Sequence, residues 1–403
     1  MDNVPRLSGK ERERSCSPRR KPLAGFFDNL TISPSISRTS TSMTSAISSA
    51  FQSRGWPPSI SKASRMDDTR LFYTIAMDST VRAYIPLDQD SPMDMFKKAT
   101  DFYNVIQEKL KERENDGVTL LGEILTRHLG TVIFGSNYIE RAGLNLEETI
   151  KICERIFRGE HVDPEHIPER FMKIANQTIF FLIEVDYEKK LIGTIHSKTR
   201  ASHIIRSRRE VVQHALALNF LITEMVVKDK PLSEDLILRT HHILTESINT
   251  AGGMPWEEYS GRYRKIHVHA GNTNFVSPKY IPAKMRELVS EFERDVQKIE
   301  ASRILDPFTL AAKYCNDFVM IHPFADGNGR MCRLIMNAIL LKYAGIVVCI
   351  GEHNESRQEY IEIQKRAGEH MEGSGELATL TLKKSIARYR TLKQKISGKK
   401  RVS

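Results

Sequence analysis

The 403-residue chain has little of what marks several protein classes. Its five cysteines, Cys16, Cys153, Cys315, Cys332 and Cys349, are widely spaced, odd in number and free of any C-x-x-C pair. That excludes a disulfide framework and a zinc-finger spacing, and points to a reducing compartment. No uninterrupted apolar run reaches the roughly 18 residues of a membrane span. The nearest, 334–350, is broken by Asn337 and Lys342 and reads as a core helix running into a buried strand or loop. The N-terminus has no apolar signal-peptide segment. A G-x-x-x-x-G-K-[ST] phosphate loop is missing as well. These absences predict a cytoplasmic or nuclear protein without a membrane segment.

The formal charge of +10 is unevenly spread. Residues 1–65 hold 11 Lys/Arg against 4 Asp/Glu, a net of +7, and residues 383–403 hold 9 Lys/Arg and no acid. The stretch 66–382 is therefore left with −6. Positive charge confined to the two ends, around an acidic middle, argues against a nucleic-acid-reading core and against a specific nucleic-acid partner.

Composition divides the chain into four regions. Residues 1–66 read as a disordered Ser/Arg-rich tail, since 16 of the 34 residues from Thr31 to Ser64 are Ser or Thr. Ser17-Pro18, Ser33-Pro34 and Arg19-Arg20-Lys21 are its only short motifs, readable as phosphorylation sites and a nuclear signal or as incidental. Residues 67–230 read as a helical region, 231–382 as a core, and 383–403 as a basic C-terminal tail. Capping residues place the helices: Asn145 before Leu146–Arg158, Ser233 before Glu234–Glu246, Pro282 opening Ala283–Glu300, and Asp306-Pro307 opening a helix to Ile321. Further helices are expected over Glu210–Val227, Arg330–Tyr343 and Glu355–Ala367, and one hairpin from Tyr263–Ala270 to Asn274–Ser277. The fold class is mostly α.

The densest chemistry lies between two of these helices, in His322-Pro323-Phe324-Ala325-Asp326-Gly327-Asn328-Gly329-Arg330-Met331-Cys332-Arg333. Glycines at a helix N-terminus let backbone N–H groups crowd around an anion. Arg330 and Arg333, three apart, share a side and suit phosphate oxygens. Asp326 offers one hard carboxylate, which is what Mg²⁺ asks of a protein when a nucleotide supplies the rest. His322 is the group suited to base catalysis near neutrality. Together these describe a nucleoside triphosphate site with a base beside it.

This segment resembles the signature H-P-F-x-x-G-N-G-R-x-x-R of the Fic-domain family (the Fido fold), matching at every fixed position. The resemblance implies a Fido-type helical bundle with a β-hairpin flap. It also implies protein adenylylation: transfer of AMP from ATP, with Mg²⁺, to a Ser, Thr or Tyr hydroxyl of a target protein. In that reading His322 deprotonates the hydroxyl and Asp326 holds the metal. Gly327, Asn328 and Gly329 form the anion hole, Arg330 and Arg333 take the outer phosphates, Phe324 anchors the loop and Pro323 fixes its geometry. Tyr360 resembles the family tyrosine of the adenine site, while the position seven residues later, where an Asn is frequent, is Ala367.

Upstream, Ser136-Asn137-Tyr138-Ile139-Glu140 resembles the family's [S/T]-x-x-x-E inhibitory motif, which implies that Glu140 pairs with Arg333; a plain helix carboxylate is the other reading. Ile266, His267 and Val268 resemble the flap edge that pairs with a target peptide, against a plain surface hairpin. His241-His242 reads as packing or as a surface pair. Self-modification and a homodimer complete the expected partners. The alternatives are removal of AMP at the same site and a non-catalytic nucleotide- or protein-binding module.

Overall fold

The computed structural model of the chain describes residues 42–58, 73–166, 197–270, 273–370 and 373–398. The motifs at residues 17–21 and 33–34, and much of the uninterpreted stretch between 158 and 208, lie outside the described residues.

Eleven helices are described: α1 Met43–Arg54, α2 Pro92–Ile139, α3 Leu146–Phe157, α4 Ser197–Ile222, α5 Glu234–Thr245, α6 Trp256–Tyr259, α7 Ile281–Ser302, α8 Pro307–Ile321, α9 Asn328–Tyr343, α10 Asn354–His370 and α11 Gly375–Ser397. Four two-residue strands form two small ladders. β1 (Thr74–Ile75) pairs in parallel with β4 (Ile304–Leu305), and β2 (His269–Ala270) pairs antiparallel with β3 (Thr273–Asn274). The bundle is mostly α, as expected.

The expected caps work as capping atoms. The Asn145 side chain accepts from the Glu148 N–H, Ser233 from Leu236, and Asp306 from Phe308 and Thr309. Each satisfies N–H groups that a helix start leaves orphaned. α4 runs into a π-helical turn, Thr223–Val227. The stretch Ser202–Val227 is apolar and long enough to cross a membrane by length and composition, and 72% of it is buried inside the fold. α8 and α9 pack closely together at the centre, and α9 is almost wholly buried from Asn328 to Tyr343. α2 lies along α1 and α11 and reaches this centre with its last turn.

Three expectations are corrected. First, residues 43–54, assigned to the disordered tail, are helix α1, with Met43, Ile47, Ala50 and Phe51 buried. Their spacing (i, i+4, i+7, i+8) is a helical apolar stripe, and it docks on α2. Trp56 adds an Nε1–H bond of 2.8 Å to the Gly345 carbonyl. Second, the basic tail from Lys383 is, through Ser397, the second half of α11, where Tyr389, Leu392 and Ile396 are buried. Its cations are interleaved with these apolar residues, and Arg388 is itself buried, so composition hid the stripe. Third, the long hairpin shrinks to two residue pairs, leaving Ile266, His267 and Val268 outside any strand.

Candidate active site

His322 ends α8 in the left-handed region (φ 51°, ψ 60°), a costly conformation for a side chain with a Cβ. The turn throws its ring sideways, where the Phe275 ring stacks on it at 3.9 Å and 15°. His322 Nδ1 lies 3.2 Å from the Val319 carbonyl. Only a protonated Nδ1 can bond there, so Nε2 keeps its lone pair. Burial pulls the imidazole pKa down to about 4, so the ring is neutral at pH 7.

The turn after His322 is braced from inside. Phe324 is fully buried. The Asn328 amide closes the turn twice: Phe324 N–H donates to its Oδ1 at 2.9 Å, and its Nδ2 donates to the Phe324 carbonyl at 2.8 Å. The Asn328 side chain is thus engaged in closing the loop, which leaves its backbone N–H to face an anion. Gly327 has φ 80°, which favours glycine, and its N–H donates to the Asp326 carboxylate at 2.6 Å.

Sequence reasoning missed the partner beneath this turn. His241 on α5 is completely buried and stacks on Phe324 at 3.6 Å and 6°. The Gly261 N–H donates to its Nδ1 at 2.9 Å, so the proton sits on Nε2, 2.9 Å from the Asp326 carbonyl that accepts it. Burial drops its pKa to about 3, holding it neutral. A His seven residues after Glu234 on an otherwise amphipathic helix gave no signal beyond packing.

Arg330 and Arg333 are both buried. Arg330 has Nη2 3.6 Å from Asp326 Oδ1, while its Nε and Nη1 are buried without a hydrogen-bond partner. Arg333 is engaged through two of its three nitrogens. Its Nε donates to Ser136 Oγ at 2.9 Å, and its Nη2 donates to the Ser136 carbonyl at 2.9 Å and to Glu140 Oε1 at 2.6 Å. The expected pairing of Glu140 with Arg333 is therefore present. Glu140 caps α2, and its carboxylate lies so close to Gly329 that a methyl group there would collide with it. The carboxylate thus covers the N-terminus of α9, where N–H groups and helix dipole favour an anion. Burial pushes its pKa up, but Arg333 outweighs that, with help from Arg330 and Arg357, and holds it below the usual carboxylate range. With 37% of the Glu140 side chain exposed, solvent weakens the pair relative to its distance.

The last turn of α2 is held from two sides. His214 Nδ1 lies 2.8 Å from Asn137 Oδ1, and Glu210 accepts from the Gly143 N–H at 2.9 Å, both from α4. From α10, Arg357 Nε donates to the Ile139 carbonyl at 3.0 Å and Asn354 Oδ1 accepts from Tyr138 Oη at 2.7 Å.

The hairpin is tied to the loop by one residue. Arg264 is 4% exposed and has no carboxylate partner among the described residues; its guanidinium donates to carbonyls. Nε donates to His322 at 2.7 Å, Nη1 to Ile266 at 2.7 Å and Nη2 to Val276 at 2.6 Å, while its backbone N–H donates to Pro323 at 2.9 Å. Ile266 and Val276 stand on opposite arms, so a side chain bridges the arms where a backbone ladder was expected. Ile266 and His267 stay exposed and Val268 partly so.

Tyr360 is 3% exposed, its ring under the Arg333 guanidinium at 5.5 Å and its hydroxyl 3.6 Å from Cys332 Sγ. It supports Arg333 from below and offers little surface to a base. Among the described residues no group of three or more His, Cys, Asp or Glu side chains gathers around a common point.

The family model for the Fic/DOC family matches residues 231–340. The chain is 31% identical over 159 residues to protein adenylyltransferase fic-1 of Caenorhabditis elegans, covering 39% of this chain and 28% of that protein. To a Fido domain-containing protein of Dictyostelium discoideum it is 32% identical over 131 residues, covering 32% of this chain and 89% of that protein. The solved structure of residues 134–508 of C. elegans Fic-1 aligns at 20% identity and a TM-score of 0.49, over 75% of this chain and 71% of that one. The chain thus spans under a third of the length of its C. elegans relative, at 28%. Nearly the whole of the Dictyostelium protein is covered at that identity, and on this ground the chain belongs to the Fic/DOC family.

Proposed function

We propose that this chain transfers AMP from ATP to a hydroxyl of a target protein and that Glu140 holds it in an inhibited state. The observation that carries the reading is the pair of buried arginines at the N-terminus of α9. One has two unpartnered nitrogens, and the other is neutralised by a carboxylate from a different helix. Leaving buried donors unpaired costs about 1–3 kcal/mol each, which a polyphosphate bound there would recover. The names of the C. elegans and Drosophila melanogaster relatives, protein adenylyltransferases at 31% and 30% identity, support the same reaction.

In this reading His322 Nε2 takes the proton of the target hydroxyl as its oxygen attacks the α-phosphorus. The bond to the bridging oxygen breaks, and pyrophosphate leaves with the electron pair. Nδ1–H on the Val319 carbonyl fixes the tautomer, and Phe275 fixes the ring plane. Arg330 holds outer phosphate oxygens, as does Arg333 once Glu140 has left it, and the backbone of Gly327–Gly329 faces the phosphate chain. Asp326, with 34% of its side chain exposed beside Arg330, suits a Mg²⁺ ion that shares its remaining sites with phosphate and water. Such an ion would offset phosphate charge. The exposed stretch Ile266–Val268 is the edge offered to the target backbone.

The test is labelling with α-labelled ATP and Mg²⁺ in wild type, Glu140→Gly and Glu140→Gly/His322→Ala. Strong labelling of protein in the single variant, with weak labelling in the other two, is the expected result. Equal label in all three would sink the assignment. A Glu140→Gly variant that labels nothing but has lost the ability to strip AMP from a modified protein would favour the reverse reaction.

A further inference from the structure

Among the described residues, two side chains each leave two buried polar atoms without a hydrogen-bond partner: Arg330, through Nε and Nη1, and Gln364, through Nε2 and Oε1. The first faces the proposed phosphate site. The second lies on α10, outside every role assigned above. Buried amides are ordinarily paired, so an amide with neither its donor nor its acceptor used calls for a partner supplied from elsewhere.

Its position says which partner. Helical spacing places Tyr360, Gln364 and Gly368 in one stripe of α10. Tyr360 lies under Arg333, the arginine one turn after Arg330. At the other end of the stripe Gly368 touches the hairpin: a methyl there would press on the Thr273 side chain of β3 at 2.8 Å. Gln364 therefore stands between the phosphate-binding arginines and the root of the hairpin. Beside it stands the small side chain of Ala367, and both Gln364 amide atoms are closed to solvent in this conformation.

We propose that the Gln364 amide is the base-reading group of the nucleotide site, pairing its donor and acceptor with the edge of a purine. This rests on the proposed function, which makes that purine adenine, whose amino group and adjacent ring nitrogen present the complementary pattern. It assigns base recognition in this chain to a different position on the helix from Ala367, and to a different group from the buried Tyr360 hydroxyl.

The experiment measures equilibrium binding of ATP, GTP and purine riboside triphosphate, which lacks the amino group, to full-length Glu140→Gly. The same measurement is made with Gln364→Leu and Gln364→Glu added in turn. A well-formed pair of base hydrogen bonds is worth about 5- to 150-fold in affinity. Glu140→Gly should prefer ATP over purine riboside triphosphate within that range. Gln364→Leu should erase the preference while keeping or raising the melting temperature, because it removes an unpaired buried amide. Gln364→Glu, with two acceptors, should shift preference toward GTP, whose ring N–H and amino group both donate. An unchanged preference in Gln364→Leu overturns the proposal. So does a lower melting temperature with equal loss for all three nucleotides, which would mark a structural amide. Because binding is the readout, selective binding without protein labelling would sink the transferase reading alone.

Discussion

The loop 322–333 and the hairpin 263–277 meet at Arg264, yet they are built in opposite ways. The loop is closed on itself: Asn328 bonds Phe324 twice, His241 bonds Asp326, and Phe324 is fully buried. The hairpin has two ladder pairs, an exposed Ile266 and one guanidinium in place of further backbone pairing. Groups that must hold an angle at phosphorus gain from rigidity. An edge that accepts a peptide backbone gains from leaving its carbonyls and amides unspent. On the proposed function, the difference would separate a fixed chemical site from an adaptable recognition edge.

Four measurements would break or sharpen that contrast. The largest effect is expected for His322→Ala in the Glu140→Gly background: transfer falls by about 10²- to 10⁴-fold, the usual worth of a base, while ATP affinity stays within a factor of about two. Affinity lost in step with rate would make His322 part of the binding surface. Next, Asn328→Ala should cost about 2–4 kcal/mol in chemical denaturation, because two backbone groups of Phe324 lose their partner inside the core. A cost below about 1 kcal/mol would mean the loop is braced elsewhere. Third, Ile266→Ala on the exposed edge should change stability by under about 0.5 kcal/mol yet raise the KM for a protein target several-fold. Stability and KM moving together would erase the distinction between the two regions.

The smallest effect concerns pH. With the His322 pKa lowered to about 4 by burial, the folded ring stays neutral where an unfolded one, near 6.5, takes up a proton. The unfolded state binds more protons in that window. Stability from this group is therefore complete above about 6.5 and is lost as pH falls toward 4. Transfer by Glu140→Gly should accordingly stay flat from pH 7.5 to 5.5, and a decline centred near 6.5 would place the base elsewhere.

The caps and the loop were legible in the sequence because their chemistry is local. Asp306 before Pro307, Ser233 before Glu234 and the twelve residues from His322 each carry their meaning within one or two turns. The contact between Glu140 and Arg333 was legible only through family resemblance, since nothing local joins residues 193 positions apart. What escaped was carried by packing across the chain. The stripe of α1 was hidden among Ser and Thr, and that of α11 among Lys and Arg. The roles of His241 and Arg264 are defined by partners on other elements, Asp326 for one and His322 with Val276 for the other. Likewise, the ring that orients His322 comes from Phe275, 47 residues upstream.

The 48 residues of α2 make a continuous rod about 70 Å long, with Glu140 at its tip. Near that tip, Gly135 sits so tightly against Cys349 and Ile350 that even one added carbon would not fit. A rod lodged between α1 and α11 cannot slide back to withdraw its tip without tearing open the bundle. If Glu140 inhibits as proposed, release would be a small event at the end of the rod: a carboxylate swinging about its own side-chain bonds, or the final turn unwinding past Ser136. On that proposal, whatever frees Arg333 would act within a few ångströms of it.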